Sequence, residues 1–555
     1  MTAPQQPHDT KSLWKNVMEH TKALEGMEHQ SGMDDLQPVP SLAIGSVEDH
    51  TQAIDEAILR AQGHKAEMPR LFSPISSLGL MFCIMNAWIG SLSTFGQNLR
   101  YGGAQVVIFA LLAATVAQWI VTLGLSELAS AFPSSGGQYH FVYLLAPEKH
   151  RRFCAFVVGW MSLLAWWLAV TAGTSLFAVG TTGLAAFVHP AYEPKSWHIY
   201  LCYLAMASIS VAPLFLFPKS VPRLTSASMF LSLTAFLVWF VIMLAMRQTT
   251  NSGEFITQSN RGTSGWSPGV AFVLGITNAM YTYGGTDSAI HIAEEMQSPG
   301  HKLPIVMNLT MLTGTLTAVP IMLVAMFTIR DPTSVMNSNF PAVELCYQVT
   351  GNRPLTIFLA AWLLIIYASA LPPQFVACGR ITWAFARDGG TIYPKYFAHV
   401  DTKLKFPARA TLAVLAFNAL YGLLYLASTT AFNSIITAAV VFSNMTYAVP
   451  QIILVLRGRN KVLPERPFRL GYVGWFCNVF SMCWIPVLIV LVCMPPALPV
   501  TAASMNYSAP IFVGFLAIIV GGWFAFGNQF EGPAVDWDML NAGNRLQSDV
   551  KTQHK

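Results

Sequence analysis

Of the 555 residues, 54% are hydrophobic and only 11% charged. That balance belongs to a polytopic membrane protein and excludes an ordinary soluble enzyme or a disordered scaffold. The net charge of +5 does not point to nucleic acid, because no Lys/Arg block or basic patch interleaved with aromatics accompanies it.

Residues 1–70 are polar, with acidic and basic residues about equally frequent, so a cleaved signal peptide is not expected. Within them, Ala53, Ile54, Ile58 and Leu59 are spaced as on one short amphipathic helix. The rest of that segment reads as a mobile cytosolic tail. From Leu71 onward, twelve apolar segments approach the ~20 residues a spanning helix needs. They fall near 76–99, 104–126, 153–182, 198–217, 224–246, 268–292, 303–329, 355–385, 409–428, 432–456, 471–494 and 509–528. The expected fold class is therefore an all-α polytopic membrane protein with twelve transmembrane helices. Residues 71–456 hold the first ten, 457–530 the last two, and 531–555 form a cytosolic C-terminal tail.

With a cytosolic N-terminus, the inner loops carry 17 Lys and Arg and the outer loops 6, which places both termini in the cytosol. Asn506-Tyr507-Ser508 is then an outer sequon too close to a span for glycosylation to be expected. Two inner loops, SELASAFPSSGGQYHFVYLLAPEKHRR and ITWAFARDGGTIYPKYFAHV, mix small, polar and aromatic residues. Each is expected to form a bent helix along the membrane, where a gate would be built. Seven of the eight cysteines lie in or beside apolar runs and only Cys346 sits in a polar loop; no disulfide framework or CxxC pair exists.

The sixth segment breaks its own pattern. In GITNAMYTYGGTDSAIHIAEEMQSP, the residues Tyr283, Gly284, Gly285, Thr286 and Asp287 interrupt an apolar run. Adjacent glycines weaken a helix by about 1 kcal/mol each, and freed backbone at bilayer depth survives only beside protein or a watery cavity. A discontinuous helix with an acid at its break marks a binding site. Asp287 can also serve as the N-cap of the second half-helix. The first segment holds a weaker echo, CIMNAWIGS, in which Asn86 precedes alanine, Trp88 and Gly90 as Asn278 precedes its own aromatics and glycines. Five spans separate the two, which fits a five-plus-five inverted repeat followed by two extra helices.

The expected substrate site gathers Asn86, Trp88, Gly90, Tyr281, Thr282, Tyr283, Gly284 and Gly285. Opened helices offer peptide groups, and aromatic faces attract an ammonium, so a small amine or amino acid is the expected guest. Asp287 is the candidate protonatable carboxylate and makes a proton the expected coupling ion. His291, one turn later, is a relay partner or a packed histidine. Glu294 and Glu295 read as gate or solvated residues, and Glu127 as the partner of a basic inner-loop group. One of Trp166 and Trp167 should reach the site, but neighbours on a helix point about 100° apart and the sequence does not choose between them. Pro372, Pro373 and Gln374 mark a kink, with Gln374 a candidate to line the path. Enzyme chemistry finds no support, since HExxH, GxSxG and Walker motifs are absent; no cofactor or metal is expected.

Together NAWIGS, SELASAFPSSGGQYHFV, DSAIHIAEEM, RITWAFARDGG, TTAFNSI and SMNYS resemble the fungal amino acid/choline transporters of the amino acid, polyamine and organocation superfamily, over about residues 70–530. The resemblance implies a leucine-transporter-like fold, alternating access and cation-coupled uptake of choline, 4-aminobutyrate, polyamines or related amines. It also implies that Asp287 stands where relatives have a glutamate at the opened sixth helix, and that Tyr281 is the substrate-stacking aromatic. The Gly-Ser-Gly type turn that holds an α-carboxylate is replaced here by Asn86-Ala87-Trp88-Ile89-Gly90. That departure favours a substrate without an α-carboxylate. The expected function is import of a choline-like or 4-aminobutyrate-like solute by a proton symporter in the plasma membrane, a vacuolar or other internal membrane being the other location. The alternative is a nutrient sensor of the same fold without net transport; a channel ranks third for want of a charged ring.

Overall fold

A chain in hydrocarbon must satisfy its own amides, so each long apolar segment should fold as a helix. In the computed structural model, which describes residues 47–540 apart from residues 260, 339, 502–504 and 534, eleven helices are long and apolar enough to cross a membrane. The expected sixth span is not among them. It is a broken element over residues 268–295; numbered in chain order with it as the sixth, the fifth helix is Pro218–Ala245, the ninth Ala408–Ala427 and the tenth Phe432–Arg457. Burial separates the inner elements from the outer ones: 78% of the most apolar window of the first, Pro74–Gly102, is buried in protein, against 6% for the last, Ser508–Gln529.

The third helix, Glu148–Val188, has 41 residues and at 1.5 Å per residue runs about 60 Å, twice the hydrocarbon thickness. It packs along the eighth helix, Arg353–Arg387, through small residues on one face. A Cβ on Gly159 would lie 2.3 Å from the Phe385 ring, and one on Gly173 would lie 2.7 Å from Gln374 Oε1. Such residues let helix backbones approach where lipid supplies no hydrophobic drive.

Both inner segments expected to lie on the membrane surface are instead drawn inside. The second helix, Val106–Ala131, runs on through SELASA. After a break at Phe132 comes the helix Gln138–Leu145, every residue of which is buried. Two of its polar groups find partners in the protein: His140 Nε2 lies 3.1 Å from Gln62 Oε1, and Gln138 Nε2 donates to Asp287 Oδ2 at 2.7 Å. ITWAFAR likewise continues the eighth helix to Arg387, with Trp383 fully buried. Cys346, expected in a polar loop, is buried in the helix Pro341–Thr350. Asn506 Nδ2 donates to Val492 O at 2.7 Å and to Met494 O at 3.0 Å, so the sequon nitrogen is already engaged.

The amphipathic helix expected before the first span is present as Val47–Ala61. Ile58, Leu59 and Ala61 are buried, and Phe72 N donates to Glu295 O at 3.1 Å. Residues after the twelfth helix meet this segment: Asp536 N donates to Ala61 O at 2.7 Å, Tyr143 Oη to Glu531 O at 2.9 Å, and Trp537 packs edge-on against Phe132. This side of the molecule is called the tail face below. Residues 1–46 and 541–555, most of the expected tails, lie outside the described residues.

Glu127 at the inner end of the second helix pairs with two basic loop groups, as its position suggested. Arg466 reaches its Oε1 through Nε at 2.8 Å, Arg459 pairs with Oε2, and Leu470 N donates to Oε1 at 3.2 Å. The carboxylate is 1% exposed, and removing it would leave two guanidinium groups uncompensated. Glu127→Ala should therefore cost about 3–5 kcal/mol of stability, measurable as a lower thermal midpoint of the purified protein; an unchanged midpoint would refute the pairing as a structural anchor.

Candidate functional site

The two interruptions differ in depth. In the first element, helices Pro74–Met85 and Ala87–Gly102 meet at Asn86, whose φ of 29° and ψ of 61° fall outside the helical region. Its N–H still reaches Phe82 O at 2.7 Å, and Gly90 N reaches Asn86 O at 3.0 Å, so this is a bend of one residue. The sixth element comes apart further. A helix, Pro268–Ala279, tightens to a 3₁₀ turn over Met280–Tyr283. Gly284 is then extended, Gly285 takes φ +78°, and a second 3₁₀ stretch runs Ile290–Glu295. Glycine is required at 285, because that φ suits few other residues and a Cβ there would sit 2.8 Å from Ile84 Cγ2. The breaks touch at Gly90, where a Cβ would come 3.1 Å from Thr282 Cα. Asn278 Nδ2 ties the elements together through Thr94 O at 3.0 Å and Asn98 Oδ1 at 2.9 Å.

A cavity of about 160 Å³ opens at this junction. Of the residues singled out from sequence, Asn86, Gly90, Tyr281, Tyr283, Gly284 and Gly285 line it, as do Asp287, Trp166 and Gln374. Four others do not. Trp88 is fully buried, donates to Ser232 Oγ at 3.0 Å and packs on Phe236 and Trp239 of the fifth helix. Ser232 in turn donates to Asn86 Oδ1 at 3.2 Å, so Trp88 braces the bend from behind rather than crowding its amides. Thr282 is buried beside the contact with Gly90. Trp167 turns to the eighth and ninth helices, donating to Thr382 Oγ1 at 2.9 Å and packing on Phe417. His291 lies behind Asp287.

Asp287, 1% exposed, has a donor on every side. Its Oδ2 accepts from Gln138 Nε2 at 2.7 Å and Trp166 Nε1 at 3.1 Å and lies 3.2 Å from His291 Nε2; its Oδ1 accepts from Tyr447 Oη at 2.7 Å. The proton inventory of this cluster is constrained. Ser135 O, 3.1 Å from His291 Nδ1, can only accept, so Nδ1 carries a hydrogen. The contact between Nε2 and Oδ2 then holds one further proton, shared as imidazolium–carboxylate or imidazole–carboxylic acid.

Gln138, Asn444 and Tyr447 were not singled out from sequence. The tenth helix gave a usable signal, since SNMTYAVP places Ser443, Asn444 and Tyr447 one helical turn apart in an otherwise apolar run. Gln138 gave none, because its segment reads as a bent helix lying along the membrane surface. Two amide oxygens of lining residues, Gln374 Oε1 and Asn444 Oδ1, are buried without a partner among the described residues.

From Thr286 to Met296 every residue is buried, whereas Gly284 is exposed and Tyr281 half-buried. Below Asp287, Glu294 and Glu295 are not solvated: Arg387 grips Glu294 through two nitrogens at 2.8 and 3.0 Å, and Arg380 grips Glu295 at 2.6 and 3.1 Å. A paired layer thus seals the cavity from the tail face. Outside it, burial would raise the Asp388 carboxyl, but His64 and Arg387 beside it hold it down to about 2. Burial pushes the His140 imidazole well below its usual range, with His64 adding to the effect.

A family model described as amino acid permease matches residues 72–517. The chain is 30% identical over 490 residues to a choline transporter of Saccharomyces cerevisiae, covering 86% of this chain and 85% of that one. It is 26% identical to amino-acid permease 2 of Neurospora crassa, covering 86% and 89%, and 25% identical to a 7-keto 8-aminopelargonic acid transporter of Saccharomyces cerevisiae, covering 80% and 90%. The protein is an integral membrane transporter of amino acids or organocations, not an enzyme. It belongs to the amino acid permease family.

The two adjacent tryptophans now separate. Trp166→Phe removes a hydrogen bond to a carboxylate, a contact worth about 1.5–3 kcal/mol, and should weaken substrate binding ~10-fold or more. Trp167→Phe should leave affinity within about twofold, because it changes only packing away from the cavity. Equal losses in a competition binding assay would refute this division.

Proposed function

We propose that the protein imports a small organic cation, choline-like in preference to 4-aminobutyrate-like, by alternating access coupled to protons. The observation that carries this reading is the polarity of the cavity wall. Asp287 and the unpartnered oxygens of Gln374 and Asn444 face a space that no Lys, Arg or His side chain lines. A carboxylate-bearing guest would find only uncharged donors there, while an ammonium finds the Asp287 carboxylate, amide oxygens and the faces of Trp166, Tyr281 and Tyr447. The similarity to the choline transporter of Saccharomyces cerevisiae points the same way.

The excess of Lys and Arg in the loops of the tail face favours a cytosolic placement of that face, in the plasma membrane. The sealed layer then lies on the cytosolic side, which leaves the outer side as the route of entry that uptake requires. The proton shared by Asp287 and His291 is the candidate coupling proton: removing it breaks the contact between these two side chains on the loosened part of the sixth element. A solute resting on Tyr281 can bind together with that proton, giving symport. A cation resting directly on Asp287 would displace it, giving exchange.

Uptake of radiolabelled choline into vesicles, with 4-aminobutyrate and putrescine as competitors and with or without an inward-acid gradient, tests this. Choline should compete best and acid outside should raise accumulation. Asp287→Asn should abolish the acid stimulation while exchange stays measurable. Unchanged acid stimulation in that variant would overturn the coupling role, and stronger competition by 4-aminobutyrate would overturn the substrate class.

A further inference from the structure

On the tail face, three potential metal ligands converge from three separate parts of the chain. His64 follows the turn that ends the helix Val47–Ala61, His140 lies on the buried helix Gln138–Leu145, and Asp388 ends the eighth helix. One ligand atom from each lies within 4.8 Å of the other two. His64 Nε2 stands 3.0 Å from Asp388 Oδ1, and the two imidazoles are 5.0 Å apart, centre to centre. His64 is 4% exposed and His140 0%.

Hydrogen bonding leaves this cluster unfinished. Gln62 Oε1 can only accept, so the contact to His140 Nε2 puts the hydrogen on that nitrogen and leaves Nδ1 a bare lone pair. Nδ1 of His140 and Nδ1 of His64 are both buried without a partner among the described residues. A buried acceptor left unmade costs about 1–3 kcal/mol, so the lone pair of His140 Nδ1, close to the His64 Nε2–Asp388 Oδ1 contact, calls for an occupant that accepts it. We propose that His64, His140 and Asp388 bind one transition-metal dication of the Zn²⁺ type.

Two imidazoles and a carboxylate are a ligand set that zinc accepts, with a fourth position for water. In a tetrahedral site with bonds near 2.0–2.1 Å, neighbouring ligand atoms stand about 3.3 Å apart. The His64–Asp388 pair is near that spacing already, and a metal would take the place of the proton between them. His140 must close in by up to about 1.5 Å to reach that spacing from the 4.8 Å spread of the cluster, and Gln62 is placed as the outer partner that fixes its tautomer. Of the neighbouring charges, Arg387 Nε lies 3.8 Å from Asp388 Oδ1, but its other two nitrogens are committed to Glu294. Tyr139 Oη donates to Asp388 Oδ2 at 3.0 Å, and Lys65 and Glu67 line the adjoining hollow with His64 and Asp388. A bound metal would staple the N-terminal segment and the end of the eighth helix to the buried helix that carries Gln138 and His140, holding the tail face shut.

The test uses the purified full-length protein, stripped with chelator and titrated with Zn²⁺ alone by calorimetry, with Co²⁺ as a spectroscopic substitute. One Zn²⁺ per chain should bind, Co²⁺ should give the strong visible bands of a tetrahedral nitrogen/oxygen site, and His64→Asn and His140→Asn should each weaken binding ~10-fold or more. In vesicles, Zn²⁺ on the tail face should slow transport by wild type and not by His64→Asn. The proposal is overturned by absent stoichiometric binding in wild type, by a thiolate-to-cobalt charge-transfer band, which would assign the metal to cysteine, or by affinity unchanged from wild type in both variants. Should a variant fail to fold, the wild-type stoichiometry and Co²⁺ spectrum decide alone.

Discussion

Everything near the cavity depends on how one carboxylate is held. Asp287 sits where the backbone of the sixth element has left the helix, and its donors come from the link before the third helix, from the third helix, from the tenth and from its own chain one turn on. An unpaired charge at that depth would cost several kcal/mol. Four donors make the site tolerable, and they also make it a junction: no one of these elements can shift without disturbing the others' bonds to the same group. Local disorder of the sixth element is thereby converted into a fixed geometry.

The two interruptions do unequal work. The first element is bent at a single residue, braced from behind by Trp88, Ser232 and the aromatic packing of the fifth helix. The sixth is unwound over several residues, and what steadies it is polar. Below it, adjacent Glu294 and Glu295 are each clamped by an arginine of the eighth helix, with Arg380 and Arg387 spaced seven residues apart so that both face the same way. Buried ion pairs of this kind add little net stability over apolar packing, but losing one partner is costly. The layer is accordingly firm while both members are present and fails abruptly if one is lost.

Much of this was legible in the chain. Spans of about twenty apolar residues, the glycine pair beside an acid, and the Asn86/Asn278 echo rest on local rules about helices and lipid, and local rules can be read locally. Trp88 was misplaced, and Trp166 could not be told from Trp167, because the face on which a side chain lands depends on the helix axis, which no short motif fixes. The errors at SSGGQYH and ITWAFAR share one cause: small polar residues look solvated when their partners are unknown. Gln138 finds Asp287, and His140 finds Gln62, across 149 and 78 residues, and neither pairing leaves a periodic trace. Twelve segments were expected to cross as helices, and the one that does not is the one whose sequence announced the break.

The hydrogen bond from Asp536 to Ala61 O has a topological meaning. It brings the flanks of the membrane core together, so that the polypeptide nearly closes into a loop on one side of the bilayer. Mechanical load or a bulky fusion applied behind the twelfth helix is passed to the segment ahead of the first, and the two extremities behave as a single handle.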